Sequence, residues 1–423
     1  MLNYQSCPSL VKFFKMLDLP FLNQPEFNHA IRFVDTLIAH EGASSVSEIN
    51  RLSGNSTRAE SLCDFLSQSP WQSDEMWRQW RQWFFSFLLS LGHQLPALPV
   101  YLALDDVSLI KPPDSQHFEF CDWHKDYKNG GYFWGVVAVT IRIKIGPFET
   151  VLGAVPYLRE KTIRKANRKR KKEREPLLVF RSKSDIAADL LRALAPDLQK
   201  LHRPVYVLFD SWYASAPFMR QVRHHGFHYI CSIRSNRKLD GVKVSTLNAA
   251  ARRNREITRR IMLETSSGQT PYFVLSREGR LNGVPGKVKV VLSRRHPRSQ
   301  SAEYFVASDR SLSPHEMLKK YQNRWFVEVD YLYAKMRLGL DKFRVRRMMS
   351  FEKWLFLVFL ALNYLYWKRA MMKKKTPIIL ADIIRMHQED FHQREMREVC
   401  KLAIRYHSSR KGIQHYLQRP KAA

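Results

Sequence analysis

The chain has little cysteine and little acid. Its 423 residues hold five cysteines (Cys7, Cys63, Cys121, Cys231 and Cys400), scattered without paired spacing. This excludes a disulfide framework and a spaced zinc site, and it fits a reducing compartment. Long hydrophobic runs are also missing. The longest, Trp354 to Trp367, has 14 residues with Asn363 inside it. Crossing a bilayer takes about 20, so the run reads as a buried core helix. The start of the chain has no cationic segment followed by an unbroken apolar one, so no signal peptide is expected. These absences predict a cytoplasmic protein with no membrane partner, and no internal repeat is visible.

Against 39 acidic residues stand 70 Lys and Arg, a formal net charge of +31. In a chain that is 45% hydrophobic, and so able to form a core, such an excess points to nucleic acid phosphates before anionic membrane.

Residues 1–95 read as helical, with apolar periodicity through Ile31, Val34, Leu37 and Ile38 and again through Trp77, Trp80, Phe84 and Leu88. Between them lie two short helical segments joined at Gly54-Asn55, with Arg58 near the start of the second, in a helix-turn-helix pattern. Leu95-Pro96-Ala97-Leu98-Pro99 marks a boundary. Val100 to Leu104 reads as a strand ending in Asp105-Asp106, Phe133 to Ile145 as one or two strands, and Pro204 to Phe209 as a strand ending in Asp210. Arg159 to Arg174 holds ten basic and two acidic residues in sixteen, either a solvated face or a flexible phosphate-binding arm. Helical spacing resumes over Ser184 to Leu198, and Phe227 to Ile233 is a further strand. From 238 to 310 alternating segments separated by Gly and Pro predict a β-rich insertion. The predicted division is 1–95, 96–237, 238–310, 311–370 and a basic helical tail, 371–423.

Tyr321 to Lys335 is the stretch around which the rest is organised. Wound at about 100° per residue, Tyr321, Arg324, Glu328 and Lys335 fall within a wedge of roughly 60°. Trp325, Val329, Leu332 and Met336 form an apolar stripe beside them, expected to be buried, and Lys319, Asp330 and Arg337 lie opposite, expected in solvent. With Asp106 (or Asp105) and Asp210 at strand ends, Glu328 completes a set of three carboxylates. Such a set repels itself unless cations neutralise it, and its oxygens suit Mg²⁺ or Mn²⁺. Two such ions clamp the attacking and leaving oxygens of a phosphoryl displacement.

At these residues the chain resembles the DDE transposases of bacterial insertion sequences. The pattern Y-x2-R-x3-E-x6-K is met by Tyr321, Arg324, Glu328 and Lys335; LALDD at 102–106, FDSWYAS at 209–215 and IRSNRKL at 233–239 extend the likeness. The resemblance implies an α/β, RNase H-like (retroviral-integrase-like) core with a β-rich insertion, an N-terminal helical DNA-binding domain and a C-terminal helical tail. It implies Asp106, Asp210 and Glu328 as catalytic metal ligands for two Mg²⁺ or Mn²⁺ ions, and Tyr321, Arg324, Lys335, Trp212 and Arg234 as DNA contacts. Val107 stands where the family usually has threonine. Asp105 and Asp106 therefore stay alternatives for the first ligand, with Asp106 favoured by register. The implied function is binding of terminal inverted repeats in double-stranded DNA, strand cleavage and strand transfer, by a nucleoid-associated homodimer. The alternatives are a structure-specific nuclease on the same core and an inactive DNA-binding protein.

Overall fold

One sheet organises the chain. The computed structural model describes residues 4–21, 23–42, 45–54, 59–95, 97–113, 118–126, 129–174, 176–254, 256–265, 268–372 and 378–405. The ten strands are β1 (Val100–Ile110), β2 (Asp122–Lys125), β3 (Tyr132–Ile145), β4 (Phe148–Tyr157), β5 (Val205–Phe209), β6 (His228–Ile233) and, beyond a small separate ribbon of β7 (Lys238–Leu239) and β8 (Val242–Lys243), β9 (Arg259–Thr265), β10 (Gly268–Gly279), β11 (Val288–Arg294) and β12 (Glu303–Ala307). Their order is β2-β3-β1-β5-β6-β12-β11-β10-β9, with β4 also paired to β3. Among the described strands, β1, β5 and β6 are the ones that run parallel to one another. All five residues of β5 are buried, as a central parallel strand requires. Gly135 of β3 pairs with Ile110 of β1 and leaves no room for a side chain; a Cβ there would meet the Leu109 carbonyl at 2.1 Å.

Antiparallel β4, β3 and β1 followed by parallel β5 and β6 is the RNase H-like arrangement expected. The stretch 238–310 is β-rich, and β9–β12 continue the same sheet because β12 pairs with β6. The basic run is no flexible arm: it folds as α6 (Glu160–Lys172), after the N-terminal helices α1 (Pro8–Leu17), α2 (Gln24–Ala39), α3 (Val46–Leu52), α4 (Ala59–Ser67) and α5 (Ser73–Ser90). The pair α3 and α4 corresponds to the helix-turn-helix pattern; Asn55 and Arg58 lie outside the described residues. Next come α7 (Lys183–Lys200), α8 (Ala216–His224), α9 (Ser245–Arg253), α10 (Pro314–Tyr321), α11 (Phe326–Met336), α12 (Met348–Met371) and α13 (Leu380–Arg405).

The apolar run is α12, buried without interruption from Lys353 to Tyr366. It is long and apolar enough to cross a membrane, but here it is the core. Phe33, Trp77 and Phe13 of the N-terminal helices rest on its Trp354, Phe356 and Trp367, with ring centroids 5.5, 5.2 and 5.2 Å apart. Its other side meets β4. The buried Asn363 amide accepts from the Val151 N–H and donates to the Val151 carbonyl, both at 2.9 Å. A polar residue is tolerated inside the run because it satisfies both backbone groups.

Helix α13 is packed against α2. His387 of α13 bonds Asp35 of α2 at 2.7 Å, and Arg394 donates to both oxygens of that carboxylate at 2.9 and 3.0 Å. Asp35 and His387 are 0% exposed. Burial lowers the imidazole's proton affinity, but Asp35 and Cys7 outweigh it and push it up to about 9. A raised histidine contributes stability in full below its unfolded value of 6.5 and loses it as pH rises through about 9. The gap corresponds to about 3 kcal/mol. Urea unfolding from pH 6 to pH 9 should show wild type losing that much more stability than His387→Gln; parallel curves would refute the assignment.

Candidate active site

β1 and β5 bring two carboxylates level. Their parallel register pairs Val100 with Val205 and Ala103 with Leu208, so two residues further on Asp105 stands beside Asp210. Strand alternation sets both on the face where Ala103, Tyr206 and Leu208 pack against Leu318 and Val327 of α10 and α11. Asp105 and Asp106 are not at a strand end, because β1 continues to Ile110.

The third carboxylate comes from α11. Tyr321 to Lys335 is not one uninterrupted α-helix: α10 ends at Tyr321, Gln322–Trp325 is a 3₁₀ turn, and α11 begins at Phe326. Arg324, in that turn, donates to Asp105 Oδ2 at 2.6 Å and to Glu328 Oε1 at 3.1 Å. One guanidinium thus joins the first aspartate to the glutamate.

Lys319 is exposed as expected and Val329 is half-buried, but Asp330 and the rest of the apolar stripe depart from the hydropathy expectation. Trp325, Leu332 and Met336 are 61, 54 and 61% exposed, and Asp330 is 1% exposed. Asp330 lies 2.7 Å from Arg142 Nε of β3, and Arg142 also pairs with Glu149 of β4 at 2.6 Å. Tyr366 of α12 donates to Asp330, and Arg369 pairs with Glu149. This buried network, two residues from Glu328, pins α11 to the sheet and to α12.

Asp106 points away from that set. Its Oδ2 accepts from Lys183 Nζ at 2.7 Å and its Oδ1 from the Tyr213 hydroxyl at 3.2 Å. Lys183 opens α7, which is capped reciprocally by Ser182 and Asp185, and its Nζ lies 5.5 Å from the rings of both Tyr157 and Trp212. Alternation turns successive side chains of a strand to opposite faces, so Asp105 shares the face of Asp210 and Asp106 lies on the other.

Crowding shows in the proton affinities. Burial pushes the Asp105 carboxyl up to about 7; Arg324 opposes this, and Asp210 and Asp106 add to it. Asp210 is raised as well, chiefly by burial, although the Trp212 N–H holds one of its oxygens. Burial disfavours the Arg324 charge, but Tyr321, Asp105 and Glu328 together hold it above its ordinary value.

The other expected residues fall at different distances. Tyr321 packs edge-on against Phe305 at 4.9 Å, with the Arg324 guanidinium over its ring at 5.8 Å, so it supports Arg324 from below. Trp212 borders the cluster through Lys183. Arg234 is exposed just past β6, on the sheet edge where Asp210 follows β5. Lys335 is seven residues along α11 from Glu328, about 10 Å at 1.5 Å per residue. Lys183 and Tyr213 were not singled out from the sequence. Tyr213 lay inside the FDSWYAS motif, and Lys183 carried one signal, its place directly after a capping serine.

The carboxylates of Asp105 and Asp210 stand side by side, Arg324 ties Glu328 to the first of them, and their oxygens are of the kind that suits a hard divalent cation. Residues 28–271 match a family model described as DDE superfamily endonuclease, and residues 181–364 match one described as Transposase DDE domain. No curated protein matches the chain.

Proposed function

The chain belongs to the DDE superfamily of endonucleases, as a DDE transposase, and from that premise we propose that it mobilises an insertion sequence by cutting and pasting. It binds the terminal inverted repeats of its element as a homodimer in the cytoplasm, at the nucleoid, cuts the DNA at their boundary and joins the freed 3′-hydroxyl to a target phosphodiester. The observation that carries this reading is the level pair Asp105 and Asp210 with Glu328 bridged to it by Arg324.

Members of this superfamily use divalent metals. We assign the ligands to Asp105, Asp210 and Glu328 and the ions to Mg²⁺ or Mn²⁺, which suit oxygen donors. When bound, they supply activation of the attacking oxygen and neutralise charge on the leaving one. The chain's own residues do the rest. Arg324, raised on Tyr321, turns from the carboxylates to a phosphate at the element's end. Lys335 takes a phosphate farther along the strand. Trp212 and Arg234 line the approach on the sheet edge, and α3 and α4 read the repeat in the major groove. Asp106 keeps Lys183 beside the reacting phosphate.

The test is cleavage of labelled DNA carrying the flanking repeats, with Mg²⁺ or Mn²⁺ against EDTA. Metal-dependent nicking at the repeat boundary, lost in Glu328→Gln while binding persists, is expected. Nicking without joining would leave a structure-specific nuclease, and binding without cleavage an inactive DNA-binding protein. Affinity for the repeats should fall steeply with salt, because phosphate contacts dominate it.

A further inference from the structure

The basic helix α6 forms one wall of a groove outside the carboxylate cluster. The groove is about 1180 Å³ and lies between α6 and the start of α12, with Arg347 and Met348 opposite. Lys161, Lys165 and Lys169 recur every four residues along α6, a row with steps of about 6 Å along the axis, and Arg170 joins them at the lining. The floor is apolar: Trp134 and Leu158 lie in it, and the 43% exposed ring of Trp123 stands against Trp134 with centroids 5.7 Å apart.

The groove is built in advance. The Asn167 amide of α6 donates to the Leu178 carbonyl at 2.8 Å and accepts its N–H at 2.9 Å, clamping the segment that leads to α7. The three acids in the lining are already engaged. Asp122 accepts from Thr162 and lies 3.0 Å from Lys161. Glu119 accepts the Met348 N–H at 3.0 Å, and Glu173 lies 3.6 Å from Lys169. Lys165 has no ion pair among the described residues, and Arg347 adds a cation opposite.

β2 links the groove to the cluster. Asp122 lines the groove, and His124, two residues on, stacks on Phe133 at 5.5 Å and approaches Tyr157 at 6.3 Å. Tyr157 lies 5.5 Å from the Lys183 Nζ that bonds Asp106.

We infer that this groove binds a short single-stranded stretch of DNA beside the cut. A row of cations over an aromatic, apolar floor is how single strands are held: phosphates track the cations and bases stack on the rings. A duplex would use the lysines but leave the Trp134 ring idle. The inference deepens the reading as a DNA-cutting enzyme and does not depend on the metal ligands.

The test is fluorescence anisotropy of a labelled oligothymidylate and of repeat-end duplex against full-length protein in EDTA. In Lys165→Gln/Lys169→Gln, oligothymidylate affinity should fall at least tenfold. The slope of log affinity against log salt should flatten by roughly 1.4, at about 0.7 per lost single-strand contact. Duplex affinity should stay within twofold. Trp134→Ala, matched to wild type by thermal melting, should weaken oligothymidylate similarly without changing the slope. Unchanged oligothymidylate binding, parallel loss of duplex binding, or equal competition by polyglutamate would each overturn the assignment. Glu328→Gln should bind oligothymidylate as wild type does, so loss of cleavage and loss of the groove are separate results.

Discussion

Asp105→Asn should abolish strand cleavage, by a thousandfold or more, while Asp106→Asn keeps it within about tenfold of wild type. A bound metal ion contributes several kcal/mol of charge stabilisation, which is lost with the ion, and about 4 kcal/mol is a thousandfold in rate. Asp105 is level with Asp210 and tied through Arg324 to Glu328, whereas Asp106 is turned to Lys183 and Tyr213. Asp210→Asn should match Asp105→Asn. Gel-resolved cleavage of labelled repeat ends, with binding of each variant measured in EDTA, decides the matter. If Asp106→Asn is the inactive one, the register argument fails.

The second large effect is on stability. Asp330→Ala should cost about 3 kcal/mol, because it leaves the buried Arg142 with Glu149 alone and takes the acceptor from the Tyr366 hydroxyl. Replacing Arg142 and Asp330 together by apolar residues of similar volume, which leaves Glu149 its pair with Arg369, should cost far less, and the contrast separates a lost pair from an unbalanced charge. Urea unfolding of Asp330→Ala and Arg142→Met/Asp330→Leu measures both. Equal losses in the two variants would mean that the site is sensitive to volume and not to charge.

These two residues also mark the limits of what the sequence shows. β5 was legible because five apolar residues end in an aspartate, and burial on both faces has no other economical pattern. The spacing of Tyr321, Arg324, Glu328 and Lys335 predicted one helix, which the 3₁₀ turn at Gln322–Trp325 interrupts. The orientation of α11 was not legible, because Asp330 is buried by an arginine far away in the chain, and nothing local distinguishes it from a solvated acid. The same holds for β1: two adjacent aspartates read as a strand end, yet the strand continues because Arg324 and Lys183 meet them from opposite faces. β4 escaped notice because Glu149, Gly153 and Pro156 break its apolar pattern. The basic run gave its charge but not its form, since only Ile163 of α6 is buried.

The placement of α12 sets an order in time. Phe13, Phe33 and Trp77, near the start of the chain, rest on rings that the ribosome adds close to its end. At roughly 5–20 residues per second, α12 emerges on the order of ten seconds or more after α5. Until then those aromatic faces have only each other and water. The clasp of Asp35 by His387 and Arg394 closes later still. The first helices to be made are therefore among the last to settle, and a truncated product carries them unfinished.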